Sequence, residues 1–327
     1  MKAKDHQQLK GVIQHYESRR HMEAISMNML AVFGLIGFGL MSVPLFTIHP
    51  APSIAEEPAH VTPAKVFTAV PLRARSAVVY DISTDTILYG YRENQILPLA
   101  SLTKLFTVYA ALISTPSGTR VTVSESALAP EGDSGLSVGE VLSLGDLEKL
   151  ALVASSNDAA EAVSEASASH EQLSSATLMA NTLLALGTED VRVQNATGLD
   201  LTPERSGGYG SALSVATVAK RLIHLDSDLA YSTTKSSVSV RSLDGTLHTL
   251  QNTNQIIDVV PNPLLSKTGF TDLAGGNLVI VFDAGINHPV AIVVLGSTKE
   301  ERFTDVRALV NETLSYFSPE TTPPVTQ

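Results

Sequence analysis

An α+β fold is predicted, with one antiparallel sheet built from both ends of the domain and a helical lobe inserted between them. Two observations carry this. Apolar runs rich in Val and Ile or aromatic residues lie near both ends of the body, at residues 76–80 and 86–91 and again at 275–283 and 289–296. Between them, residues 104–113, 147–153, 159–166, 176–186 and 215–225 repeat apolar positions at helical spacing, and 306–316 does so after the last strand. Strands at both ends with helices between make one sheet closed by the two ends of the chain.

Ahead of this body, residues 24–48 carry no charge and are rich in Leu, Ile, Phe, Met, Val and Gly. A helix of that length reaches about 37 Å, more than the ~30 Å hydrocarbon core of a bilayer. Lys2, Lys4, Lys10, Arg19 and Arg20 precede the span, and the next Lys or Arg is Lys65. Positive residues remain on the cytoplasmic side, so the expected topology is a cytoplasmic segment 1–23, a single-pass signal anchor 24–48 in the cell membrane, and an extracytoplasmic body. Pro50-Ala-Pro52, Glu56-Glu-Pro58 and Pro63 make 49–72 an extended linker. The body is expected over 73–318. Pro319, Pro323 and Pro324 make 319–327 a disordered tail.

Composition removes several classes. A formal charge of −11 lacks the basic footprint that nucleic acid requires. With no cysteine there is no thiol nucleophile, disulfide or cysteine metal site. The nine histidines show no His-Glu-x-x-His spacing, no Gly-x-Ser-x-Gly elbow occurs, and no phosphate-binding glycine loop is found. No cofactor or metal is expected.

Three short motifs remain, in order: Ser101-Leu-Thr-Lys104, Ser155-Ser-Asn157 and Lys267-Thr-Gly269. Each alone is weak, since Ser232-Thr-Thr-Lys235 repeats the first and Ser26-Met-Asn28 the second. Their order, spacing and surroundings give them weight. Ala77-Val-Val-Tyr-Asp81, Pro98-Leu-Ala-Ser-Leu-Thr-Lys-Leu105, Asn157-Asp-Ala-Ala160, Asn195-Ala-Thr-Gly-Leu-Asp200 and Lys267-Thr-Gly-Phe-Thr271 resemble, in the same order, the D-alanyl-D-alanine carboxypeptidase family of low-molecular-mass penicillin-binding serine peptidases. The resemblance runs from about Arg75 to Leu314. It implies a β-lactamase/transpeptidase-like fold, a peptidoglycan stem peptide as substrate and β-lactams as covalent inhibitors.

The residues themselves suit acyl transfer. Residues three apart share a helix face, so Ser101 and Lys104 are expected as neighbours near a helix N-terminus that favours developing negative charge. Lys104 acts as a base only when neutral, which requires burial and a second cation such as Lys267 to lower its pKa. The resemblance implies that Ser155 relays a proton between Lys104 and the leaving group, and that Asn157 orients Lys104 and the substrate amide. A plain helix N-cap is the other reading of this segment. The family usually has Gly where Ser156 stands, and a Cβ there is expected to crowd the cleft.

Lys267, Thr268 and Gly269 read as an edge strand along the cleft, with Gly269 allowing substrate to approach closely. The resemblance assigns the oxyanion to the backbone N–H groups of Ser101 and Phe270, and the substrate's terminal carboxylate to Thr268 and Arg302. For Arg302, a surface ion pair with Glu300 or Glu301 is an equal reading. Carboxypeptidase action is the leading function. D,D-endopeptidase action on cross-links and a non-catalytic wall-binding relative remain open.

Overall fold

Six-residue strand β1 (Ser76–Asp81) lies between β2 (Thr86–Tyr91), its neighbour in sequence, and a strand from the far end of the domain. The computed structural model describes residues 66–318 apart from 133, 134 and 286. The expected segments 1–23, 24–48 and 319–327, and most of the linker, lie outside the described residues. Among the described residues no helix is long and apolar enough to cross a membrane.

In chain order, β3 (Leu97–Pro98) and a 3-10 turn at Ala100–Leu102 lead into helix α1 (Thr103–Ser114). Strands β4 (Arg120–Thr122) and β5 (Val141–Ser143) precede α2 (Leu144–Val153), α3 (Asn157–His170) and α4 (Ser175–Leu186). The short strands β6 (Arg192–Val193) and β7 (Gly208–Gly210) follow, then α5 (Ala212–Leu225) and α6 (Ser227–Ser232). A hairpin of β8 (Ser237–Arg241) and β9 (Leu247–Gln251) comes before the long strands β10 (Pro263–Thr271), β11 (Gly275–Asp283) and β12 (Pro289–Ser297). Helix α7 (Glu301–Phe317) closes the domain.

The main sheet has the order β10-β11-β12-β1-β2 and is antiparallel throughout, the α+β arrangement that the sequence predicts. Both of its faces are buried, and side chains alternate between them. Val78, Val279, Val281, Val293 and Leu295 join the core under the helical lobe. Ala77, Val79, Ile280, Ile292 and Val294 pack with Val306, Leu309 and Val310 of α7. A slip of one residue would exchange the two faces, so the pattern fixes the register.

Helix α1 is buried from Thr103 to Ala111 and forms the centre of the lobe, against α2, α3, α4 and α5. Serines cap the N-termini of α2, α3, α4 and α5: Ser143, Ser156, Ser174 and Ser211 each accept a backbone N–H. At α1 no side chain caps the first turn. Its entry runs instead through the 3-10 turn that carries Ser101.

Two features were not expected from the sequence. One is the α6 to β9 region, in which Ser232 ends a helix, its hydroxyl donating to the Leu229 carbonyl at 2.6 Å, while the Lys235 ammonium lies 3.8 Å from the centre of the Tyr231 ring. The second Ser-x-x-Lys is thus engaged in local contacts. The other lies at residues 67–72, within the expected linker. There Phe67 stacks on Tyr89, Val70 and Leu72 pack on the α7 core, and the Thr68 N–H donates to Glu312 at 2.8 Å.

Candidate active site

Ser101 and Lys104 meet because the 3-10 turn runs directly into α1. The Lys104 ammonium donates to Ser101 Oγ at 3.1 Å, to Asn157 Oδ1 at 2.7 Å and to the Thr197 carbonyl at 3.0 Å. Lys104 is fully buried, and burial brings its pKa down to about 7, against the opposing pull of Glu161. A group poised there is half neutral near pH 7, as a general base requires.

Asn157 opens α3. While its Oδ1 accepts from Lys104, its Nδ2 donates to the Glu131 carbonyl. Ser155 precedes it in a left-handed backbone conformation, φ 61°, unusual for a residue with a Cβ. Its hydroxyl accepts from Lys267 Nζ at 2.8 Å. Lys267 also donates to the Thr268 carbonyl at 2.8 Å, and burial, with Lys104 and Arg302 nearby, pushes its pKa well down. Each buried lysine thus holds one serine: Lys104 holds Ser101 and Lys267 holds Ser155. The sequence leads one to expect both burial and the second cation to lower Lys104. Burial dominates the shift of Lys104, and the charge of the neighbouring lysine appears in the lowered pKa of Lys267.

Ser156 does not face the cleft. It is 4% exposed, and its hydroxyl accepts the Ala159 N–H at 3.0 Å as the N-cap of α3. The expected crowding is absent because the side chain turns into the helix end.

Gly269 has a reason beyond the close approach of substrate that the sequence predicts. A Cβ on it would lie 2.9 Å from the Leu99 carbonyl oxygen and 3.2 Å from the Ser101 nitrogen. The glycine therefore lets β10 close on the nucleophile's own turn. The next residue, Phe270, is 41% exposed at the end of β10, with Lys299 Nζ 5.3 Å from its ring centre. Thr268 is buried, and its hydroxyl bonds that of Thr253 at 2.5 Å.

Arg302 is 6% exposed and donates through Nη1 to the Gly269 carbonyl at 2.7 Å. Glu301 pairs with Arg73 at 3.3 Å instead. Arg302, at the start of α7, points inward onto β10 and makes no ion pair within 4 Å with Glu300 or Glu301, although the Glu300 charge opposes the effect of burial on it. Its Nε has no hydrogen-bond partner and burial lowers its pKa.

The 195–200 segment does more than its resemblance indicated. Asn195 Oδ1 accepts the Gly198 N–H at 2.7 Å, shaping the turn that offers the Thr197 carbonyl to Lys104. Gly198, at φ 80°, passes so close to Ala100 that a Cβ would overlap its carbonyl oxygen. Asp200 accepts the Thr271 hydroxyl at 3.0 Å, tying this segment to the end of β10. Among the described residues no group of three or more His, Asp or Glu is arranged to hold a metal ion.

A buried lysine beside a serine at an uncapped helix entry, with a second lysine on an edge strand, provides the groups that serine acyl transfer requires. The chain belongs to the D-alanyl-D-alanine carboxypeptidase family, whose model matches residues 62–299. It is 30% identical over 251 residues to the D-alanyl-D-alanine carboxypeptidase DacF of Bacillus subtilis, covering 75% of this chain and 63% of that protein. It is 32% identical over 244 residues to a D-alanyl-D-alanine endopeptidase of Pseudomonas aeruginosa, covering 73% of this chain and 76% of that one. The fold matches the crystal structure of a D-alanyl-D-alanine carboxypeptidase from Mycobacterium tuberculosis with a TM-score of 0.69 at 19% identity, over 80% of this chain and 97% of the other.

Proposed function

We propose that this protein is a serine-type D-Ala-D-Ala carboxypeptidase that trims peptidoglycan stem peptides through an acyl-enzyme on Ser101, and that β-lactams acylate the same serine. One observation carries the reading: the fully buried Lys104 ammonium, its pKa near 7, lies 3.1 Å from Ser101 Oγ. Neutral Lys104 takes the Ser101 proton as Oγ attacks the scissile carbonyl. The oxyanion is received by the N–H groups of Ser101 and Phe270, and Gly269 keeps those two segments in contact. The leaving D-alanine nitrogen takes up a proton from the network of Ser155 and Lys267; water then attacks the ester and returns a proton to that network, and Ser101 Oγ leaves with the proton held on Lys104. Asn157 holds Lys104 in line. Lys267 holds the Ser155 hydroxyl in place, and Arg302 with Thr268 holds the peptide's terminal carboxylate through charge-assisted hydrogen bonds.

In this reading the domain acts outside the cytoplasmic membrane, tethered by residues 24–48 and held off the surface by the linker. The charge-free span and the Lys and Arg residues before it support that placement.

A second reading, endopeptidase action on cross-links, is favoured by the similarity to the Pseudomonas endopeptidase, more of whose length is covered than of DacF. Purified protein incubated with a stem peptide ending in D-Ala-D-Ala and with cross-linked muropeptides separates the two. Release of terminal D-alanine supports the carboxypeptidase. Cleavage of the cross-link alone supports the endopeptidase, and loss of neither contradicts both.

A further inference from the structure

Asn277 is fully buried in β11, an uncommon place for an amide side chain, and lies opposite Gly269 on the neighbouring strand. Its two polar atoms serve different parts of the molecule. Oδ1 accepts the Gly296 N–H at 2.8 Å, and Nδ2 donates to the Pro98 carbonyl at 3.0 Å. The first bond belongs to the sheet. The β11–β12 register shifts between Gly276 and Leu278, and Asn277 sits at that irregularity with its side chain satisfying the Gly296 N–H. The second bond leaves the sheet for the nucleophile's own segment, Pro98-Leu-Ala-Ser101. A backbone N–H on one side and a backbone carbonyl on the other allow the amide one orientation. Motif reasoning passes over this residue, because it lies outside all three motifs.

The segment held in this way is strained. Ala100, immediately before the nucleophile, is fully buried at φ 48°, a left-handed conformation that is costly for a residue with a Cβ. Such a conformation persists only where its surroundings over-determine it. Here the Gly208 carbonyl accepts the Leu99 N–H at 2.9 Å, Gly198 packs directly on the Ala100 carbonyl, and Asn277 holds the Pro98 carbonyl. Of the three, Asn277 alone acts through a side chain. We propose that Asn277 is a positioning residue that keeps the turn before Ser101 in its left-handed form. It thereby fixes the Ser101 N–H and Oγ against β10 and Lys104.

The inference rests on Ser101 being the nucleophile. The test is acylation by a fluorescent penicillin over a range of concentrations, which separates affinity before the covalent step from the acylation rate constant. Wild type, Asn277→Ala, Ala100→Gly and the double variant are compared. Asn277→Ala should lower the rate constant by roughly 10²-fold, the effect of a misplacement of about 1 Å, and leave the prior affinity within about threefold. Glycine adopts the left-handed form without the cost of a Cβ, so adding Ala100→Gly to Asn277→Ala should return about tenfold of that loss. An unchanged rate constant in Asn277→Ala, a loss confined to affinity, or a double variant no faster than Asn277→Ala overturns the proposal. If Asn277→Ala does not fold, Asn277→Leu, which keeps the side-chain volume, is read in the same way. Absence of acylation in wild type would contradict the proposed function, and denaturant midpoints of the same four proteins then decide the inference. Ala100→Gly should raise the midpoint more when Asn277 is present than when it is replaced, and additive changes overturn the proposal.

Discussion

Lys267 Nζ donates to the Ser155 hydroxyl at 2.8 Å, joining the third motif to the second across the cleft. The resemblance implies that Ser155 relays a proton between Lys104 and the leaving group; in the structure Lys104 donates to Ser101, Asn157 and Thr197. Ser155→Ala and Lys267→Ala should each slow acylation, by about 10²-fold or more. The double variant should lose little beyond either single one, because both remove one interaction. Losses that multiply in the double variant would show that the two act separately.

Gly269→Ala should disable the site without touching any catalytic side chain. The new Cβ meets the Leu99 carbonyl oxygen at 2.9 Å and the Ser101 nitrogen at 3.2 Å, so β10 and the nucleophile turn must part. A misplacement of about 1 Å can cost roughly 10²-fold in rate, and the loss should appear in the acylation rate with little change in melting temperature. Wild-type acylation by this variant would contradict the close contact.

Ser156 bears on stability rather than specificity. Ser156→Ala removes the N-cap of α3 and should cost about 1 kcal/mol in a denaturant titration, and Ser156→Gly only a few tenths. Neither should change the preference among stem peptides. A marked change in preference with Gly would restore the expectation that a Cβ here lines the cleft.

Arg302 tests the carboxylate clamp. Arg302→Ala should lower the rate on peptides ending in a free carboxylate by roughly ten- to a hundredfold. Amidating the peptide's C-terminus should cost wild type a similar factor and the variant little. Retention of wild-type activity and discrimination would confine Arg302 to its bond with the Gly269 carbonyl.

Glu148 supplies a pH dependence of folding separate from catalysis. Burial in α2 raises its pKa to about 8, helped by the Asp226 carboxylate and opposed by Lys149, and one of its oxygens lacks a partner. The folded protein holds the acid protonated. Its stabilising effect is complete below the ordinary 4.5 and is lost as pH rises through about 8. Stability should therefore fall over that window by up to about 1.4 kcal/mol per pH unit from this group. Glu148→Gln should remove that slope in denaturant midpoints measured at pH 5 and pH 8. An identical slope in both proteins would contradict the assignment.

Much of this architecture was legible from periodicity. The continuous apolar runs of β1, β11 and β12 mark a sheet buried on both faces, and helices α1 to α5 and α7 appear within about five residues of their expected bounds. Boundaries slipped where caps lie outside the apolar repeat, as at Ser156 and Ser174. The β8–β9 hairpin was missed although Val238 and Val240 alternate inward, because the Ser and Thr residues before it masked the pattern. Ser101, Lys104, Ser155, Asn157 and Lys267 were found from motif order, and the structure brings them together. What the sequence lacks is pairing. Which serine each lysine holds, and that Gly269 faces the nucleophile turn, depend on contacts between segments far apart in the chain.

The most direct test is the mass of the protein after incubation with benzylpenicillin, followed by peptide mapping. The account predicts one adduct on the peptide containing Ser101, no adduct in Ser101→Ala, and a rate in wild type that rises with pH through about 7 as Lys104 loses its proton. An adduct on Ser232, or full labelling of Ser101→Ala, would contradict it.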